Sequence, residues 1–86
     1  MKLSKAFLVH TTEEETILVP TGAADFSGIV RGNKTLGIVL NMLTQETTEQ
    51  SIVDTIKQKY DAPEGAIERD VRRVINELRD IGALDE

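Results

Sequence analysis

Residues 64–82, EGAIERDVRRVINELRDIG, decide how this chain folds. Large aliphatic side chains recur there at intervals of three and four positions, at Ile67, Val71, Val74, Leu78 and Ile81. This spacing is typical of the buried face of an amphipathic helix. We therefore predict a helix from about Glu64 to Ile81, with Gly82 as the left-handed residue that ends it.

The other side chains of this helix flank the aliphatic stripe on two shoulders. With about 100° between successive residues, one shoulder carries Ala66, Asp70, Arg73 and Glu77, and the other carries Glu68, Arg72, Ile75 and Arg79. One shoulder can face a bound partner, or both can form a solvated surface with ordinary i, i+4 ion pairs. The spacing alone does not tell which shoulder faces which neighbour.

Two more helices are predicted before this one. Residues 36–43 are apolar at nearly every position, which indicates a central, buried helix, and Asn33 is suited to be its N-cap. The next helix starts at Thr47 or Thr48, because both positions fit a capping threonine. The proline-containing segment 61–64 separates it from the last helix.

Three short runs rich in apolar and β-branched residues precede the helices, at residues 6–10, 16–20 and 29–31. Such runs, separated by polar or glycine-containing connections, indicate strands of an antiparallel sheet. Leu84 is expected to fold back onto the core. The prediction is an α+β, winged-helix-like fold of one domain over residues 1–86: a three-stranded antiparallel sheet followed by three helices, in the order β-β-β-α-α-α.

The composition offers little catalytic chemistry. The chain has no cysteine, a single histidine (His10) and a formal net charge of −5. The lack of cysteine excludes disulfides and thiolate metal sites and fits a reducing cytoplasm. The acidity argues against nucleic acid, and no apolar run approaches the length of a membrane span. Without a nucleophile elbow or a phosphate-binding glycine loop, we predict a protein that is not an enzyme and holds no metal or cofactor.

A protein without catalytic groups acts through its surfaces. The strand at residues 29–31 can present an open edge, to which an extended peptide can add as a further strand. The same edge can instead be paired within the chain or with a second copy, so a homodimer is compatible with this sequence. The last helix is the second candidate surface.

Several short motifs, in order, resemble the pyrroloquinoline-quinone biosynthesis protein D family over residues 17–84. They are Val19-Pro20, the DFSG segment 25–28, Asn33-Lys34-Thr35, the TTEQSIV segment 47–53, Tyr60-Asp61, the DVRRVINEL segment 70–78, and Gly82 with Leu84. No single motif is specific, but their order and spacing together are.

The resemblance has departures at three positions. The family often has leucine where Gly32 stands, glycine where Leu36 stands and tryptophan where Leu40 stands. The apolar positions are kept, so the expected fold is unchanged. Gly32, however, ends the strand that the resemblance assigns to binding, where it can alter the register of a bound peptide or loosen the edge.

The resemblance implies a function as well as a fold. Members of this family hold the leader segment of a ribosomally made precursor peptide between the third strand and the third helix, and present the peptide to a modifying enzyme, often a radical SAM enzyme. Carried onto this chain, it implies backbone partners in Ile29, Val30 and Arg31, and a helix wall formed by Arg69, Asp70, Arg73, Val74 and Glu77.

Two other functions fit the predicted topology. A winged-helix domain can bind DNA, and the arginines of the last helix would supply some basic surface, although the net charge of −5 opposes this. An oligomerisation module could pair edge to edge through residues 29–31.

Overall fold

A computed structural model describes residues 1–13, 15–22, 28, 30–32 and 34–86. The described residues form β1 (Lys2–Leu3), β2 (Phe7–Thr11), β3 (Thr16–Pro20), β4 (Val30–Gly32), α1 (Lys34–Met42), α2 (Glu49–Lys59), α3 (Ala66–Asp80) and β5 (Leu84–Asp85). The predicted α+β order, an antiparallel sheet of three strands followed by three helices, is confirmed.

The main sheet has the strand order β2-β3-β4, and both neighbouring pairs are antiparallel. Thr16 and Leu18 of β3 are buried, whereas Ile17 between them is only partly buried. Because side chains alternate between the two faces of a strand, Thr16 and Leu18 face the helices. Arg31 of β4 lies opposite Ile17, so its side chain is on the outer face of the sheet.

The strand bounds differ slightly from those predicted. The predicted strand at 16–20 is confirmed, and the one at 6–10 is shifted by one residue to Phe7–Thr11. The third strand was predicted at 29–31, and its described part is Val30–Gly32. Ile29 and Asn33 lie outside the described residues.

α3 follows the aliphatic pattern closely. Val71, Val74, Ile75 and Leu78 are buried, and Gly82 has a φ of 75°, which is the left-handed conformation predicted for the residue after the helix. The predicted start at about Glu64 is two residues early. Gly65 precedes the helix with a φ of 82°, which a right-handed helix cannot accommodate, so α3 begins at Ala66.

A second, two-stranded sheet was not predicted. β1 pairs antiparallel with β5, and Leu3 lies opposite Leu84. Leu84 is partly buried against the core, as expected. This pairing joins the two ends of the described chain beside the helices.

The core lies between the inner face of the main sheet and the three helices. Its largest fully buried side chains are Leu18, Val39, Leu40, Leu43, Ile52, Val71, Ile75 and Leu78. The N-cap of α2 is Thr48 rather than Thr47, because the Thr48 side chain accepts a hydrogen bond from the Ser51 N–H. None of the helices in the described part of the chain is long and apolar enough to cross a membrane.

Candidate functional site

A groove lies between β4 and α3. It has a volume of about 120 Å³ and is lined by Val30, Arg31, Gly32, Leu36, Arg73, Val74 and Glu77. Its walls therefore come from three elements, because Leu36 belongs to α1. Such a groove beside the last strand of a sheet can receive an extended chain along its length.

β4 is the outermost strand of the main sheet. Its three residues pair with β3 on one side, with Leu18 opposite Val30 and Thr16 opposite Gly32. In the described part of the chain no strand pairs with its other side. An edge strand carries backbone N–H and C=O groups that point away from its only neighbour, so β4 can bond one further strand.

The two shoulders of α3 differ in what they contact. Arg73 and Glu77, from one shoulder, line the groove. The other shoulder faces α2 and the chain end: Arg72 pairs with Glu49 at 3.3 Å, Glu68 with Lys57 at 3.3 Å, and Arg79 with Glu86 at 2.7 Å. The question that the helical spacing left open is thereby answered. Of the two shoulders, the one that carries Arg73 and Glu77 is turned toward β4.

The ion pair at the chain end changes the titration of its members. A hydrogen bond from Arg79 holds the pKa of the Glu86 carboxyl below its usual value, and the same contact raises the pKa of Arg79. Both groups are well exposed to solvent, so the pair adds little to stability. It does occupy the shoulder of α3 that lies away from the groove.

The charges around the groove leave one cation unpaired. Arg73 and Glu77 form an i, i+4 ion pair at 3.2 Å at the groove wall. Arg31 is exposed and forms no ion pair with any residue that the structure describes. The lining therefore carries a net charge of about +1 in a chain whose net charge is −5. A negatively charged partner is favoured at Arg31.

The floor of the groove depends on close contact between Gly32 and Leu36. A Cβ atom added at Gly32 would lie 2.7 Å from Leu36 Cβ and 3.1 Å from its Cγ, and closer still to Cδ2. Leu36 itself is 5% exposed. The leucine side chain thus fills, from α1, the space that a side chain at position 32 would need, and the two positions are coupled.

The predicted site residues are placed as follows. Five of them line the groove: Val30, Arg31, Arg73, Val74 and Glu77. Arg69 and Asp70 do not, and Ile29 lies outside the described residues. The structure adds Gly32 and Leu36 to the lining. In the sequence both positions depart from the family pattern, which often has leucine at position 32 and glycine at position 36. Only the structure shows that the two residues are in contact.

Two concavities elsewhere on the described part of the chain are larger than the groove between β4 and α3. One of about 730 Å³ is lined by Arg69, Arg72 and other residues that all belong to α3, apart from Gly65 just before it. A surface formed by a single helix is an open face, without an opposing wall to enclose a ligand. Another, of about 220 Å³, lies between the β2–β3 turn, α1 and Tyr60. The second reaches the other outermost strand only at Thr11, the last residue of β2, and does not run along a strand edge as the groove at β4 does.

The fold and the groove define a class: small α+β domains of winged-helix-like topology, with an open sheet edge beside the last helix. Within this class, the coenzyme PQQ synthesis protein D (PqqD) family matches residues 14–84. The match extends over most of the 86 residues, and the chain belongs to this family.

Two solved structures have the same fold. TbiB1 in complex with the TbiA(beta) leader peptide superposes with a TM-score of 0.81 and 21% sequence identity, over 99% of this chain and 95% of that one. Lasso peptide synthetase B1, complexed with the leader peptide, gives a TM-score of 0.75 and 16% identity, over 95% and 93% of the two chains. No curated protein sequence matches the chain.

Proposed function

We propose that this protein is a non-catalytic adaptor that binds the leader segment of a ribosomally made precursor peptide. The leader adds as a strand to the open edge of β4 and lies against α3. Val30, Arg31, Arg73, Val74 and Glu77 form its binding site. Ile29, Arg69 and Asp70 remain predicted contacts, reached if the leader extends beyond the groove.

The observation that carries this proposal is the groove between β4 and α3. One of its walls is a strand edge with which no described strand pairs, and the other is a helix. Main-chain bonds to such an edge provide affinity, and side-chain pockets beside it provide specificity. Membership of the PqqD family and the two leader-bound structures of the same fold support this choice over DNA binding. The net charge of −5 supports it as well.

The adaptor acts by tethering. A leader held on β4 keeps the rest of its peptide near an enzyme that binds the adaptor, and short flexible linkers raise the effective concentration to about the millimolar range. A micromolar dissociation constant, equivalent to about −8 kcal/mol, is sufficient for this. The reaction itself belongs to the partner enzyme.

The partner is a peptide-modifying enzyme, for which a radical SAM enzyme is the first candidate, and the setting is the cytoplasm. The binding domain spans residues 1–86. Two copies can pair through β4 when no leader is bound, in which case the leader and the second copy compete for one edge.

An NMR titration tests the proposed function. Isotope-labelled full chain is titrated with synthetic leader halves of short precursor peptides encoded beside its gene, with scrambled peptides and a DNA duplex as controls. We expect saturable shifts at micromolar concentration for residues 30–32, Leu36 and 73–77. Shifts with DNA alone, or none with any leader at about a millimolar, would refute the proposal.

A further inference from the structure

We infer that the groove selects an extended segment with the pattern aliphatic–acidic–aliphatic, whose central carboxylate pairs with Arg31. This inference rests on the proposed function, because it assumes that a peptide adds to β4. It goes further by stating which side chains the peptide must carry, and on which face of the sheet each one lies.

The alternation of faces along β4 sets the pattern. Arg31 lies opposite Ile17, between residues that lie opposite Leu18 and Thr16. Leu18 and Thr16 are buried beneath the helices. Val30 and Gly32, which lie opposite them, therefore share the inner face, and Arg31 is on the outer face. In a strand added to β4, the residue opposite Arg31 must also point outward, and its two neighbours must point inward. This holds for parallel and antiparallel addition alike.

The outward position favours an acidic residue. Directly opposite residues on neighbouring strands have Cβ atoms roughly 5 Å apart, close enough for opposite charges to attract. Arg31 is exposed and unpaired with any described residue, whereas Arg73 is already paired with Glu77 at 3.2 Å. Arg31 is therefore the cation of the groove lining that is available to a ligand.

The inward positions favour aliphatic residues. Beside Val30 and Gly32 they meet Leu36, which is 5% exposed, and Val74, which is 4% exposed. Gly32 contributes no side chain of its own, and Leu36 fills that space, so the surface beside Gly32 is aliphatic. An apolar cavity of about 150 Å³ can hold a benzene-sized group, so a groove of about 120 Å³ admits a branched aliphatic side chain. A charged side chain there would lose water beside Leu36 and Val74, and the charged wall residues Arg73 and Glu77 are already paired with each other at 3.2 Å.

The test is a selection followed by an exchange of charges. A library of random dodecapeptides is selected by display against the immobilised full chain, and separately against the R31E and K5E variants. Lys5 is also exposed and lies just before β2, at the edge of the sheet opposite β4. K5E therefore produces the same change of net charge away from the groove. Thermal unfolding of both variants checks that they are folded.

We expect the original chain and K5E to enrich aliphatic–acidic–aliphatic segments, and R31E to enrich segments with a basic central residue. In one selected peptide, replacing the central glutamate by lysine should weaken binding to the original chain by on the order of tenfold, from lost attraction and added repulsion. The same replacement should strengthen binding to R31E.

Two results would overturn the inference in distinguishable ways. If R31E enriches the same segments as the original chain, while NMR places those peptides on β4, the charge pattern is wrong and the proposed function stands. If no peptide is enriched by any of the three proteins, the proposed function fails together with the inference.

Discussion

Replacing Gly32 by alanine tests the packing on which the groove is built. The added Cβ would lie 2.7 Å from Leu36 Cβ, which is shorter than real contacts allow. Leu36 Cβ is fixed to the backbone of α1, so a change of rotamer cannot remove the overlap, and the helix must move relative to β4. Overpacking of this kind costs about 1–3 kcal/mol. With a urea m-value of about 1 kcal/mol/M for a small domain, the unfolding midpoint should fall by about 1–3 M.

Gly22→Ala is the matched control, because a Cβ at Gly22 meets nothing within 4 Å. Its effect should stay within about 0.5 kcal/mol. Urea unfolding is followed by circular dichroism at 222 nm for both variants and for Gly32→Ala combined with Leu36→Ala. Leu36→Ala alone completes the cycle. The double variant keeps the Cβ overlap but removes Cγ and Cδ2, so its loss of stability should be smaller than the sum of the two single losses by about 0.5–3 kcal/mol. Equal losses for Gly32→Ala and Gly22→Ala would refute this account of the groove floor.

Three further predictions concern the elements that hold α3 in place. Thr48→Ala removes the hydrogen bond to the Ser51 N–H and should lower the free energy of unfolding by about 1 kcal/mol in urea titrations; an unchanged midpoint would contradict it. Gly82→Ala forces alanine to a φ of 75° and should cost about 1–2 kcal/mol in thermal melts, whereas no cost would mean that α3 ends differently. The Glu86 carboxyl should titrate below an ordinary glutamate by NMR, because Arg79 hydrogen-bonds it. Because the pKa is lowered in the folded protein, this contact stabilises the fold at pH values above the ordinary glutamate pKa. The stabilisation is lost as the pH falls through the lowered pKa of Glu86. Arg79→Gln should return the titration midpoint of the Glu86 carboxyl to that of an ordinary glutamate.

The helices were the most predictable part of the fold. A 3.6-residue period is repeated over four turns of α3, so its buried face follows from the sequence with little dependence on neighbours. The capping residue of α2 was not fixed by the sequence, since two adjacent threonines satisfy the same rule. The hydrogen bond from the Ser51 N–H identifies Thr48. Tyr60 fitted the apolar spacing of α2 but is 45% exposed, because the helix ends at Lys59 and the chain turns away.

Two features could not be predicted, for a common reason: both depend on contacts between distant segments. β1 and β5 have two residues each, too few to show any period, and exist because the chain ends meet. The choice between the shoulders of α3 was equally hidden, since charges flank the stripe on both sides. The packed structure shows the choice: Arg72 and Glu68 lie beside α2, with which they form ion pairs, and Arg73 and Glu77 line the groove.

The binding residues were predictable only through resemblance. Periodicity indicates a strand near residues 29–31 but does not show that one of its edges is open. Arg31 becomes distinctive only in the structure, where it is the unpaired cation among the described residues that line the groove. Gly32 and Leu36 appeared as isolated departures from a family pattern until their contact showed that one accommodates the other.

Intermolecular NOEs between the labelled protein and an unlabelled bound leader test the central claim most directly. Strand addition predicts backbone-to-backbone NOEs between the peptide and Val30–Gly32, together with slowed hydrogen exchange of those β4 amides that point away from β3. NOEs from peptide side chains to Leu36 and Val74 should accompany them. A saturably bound leader whose NOEs are confined to the open face of α3, with exchange at β4 unchanged, would contradict the account.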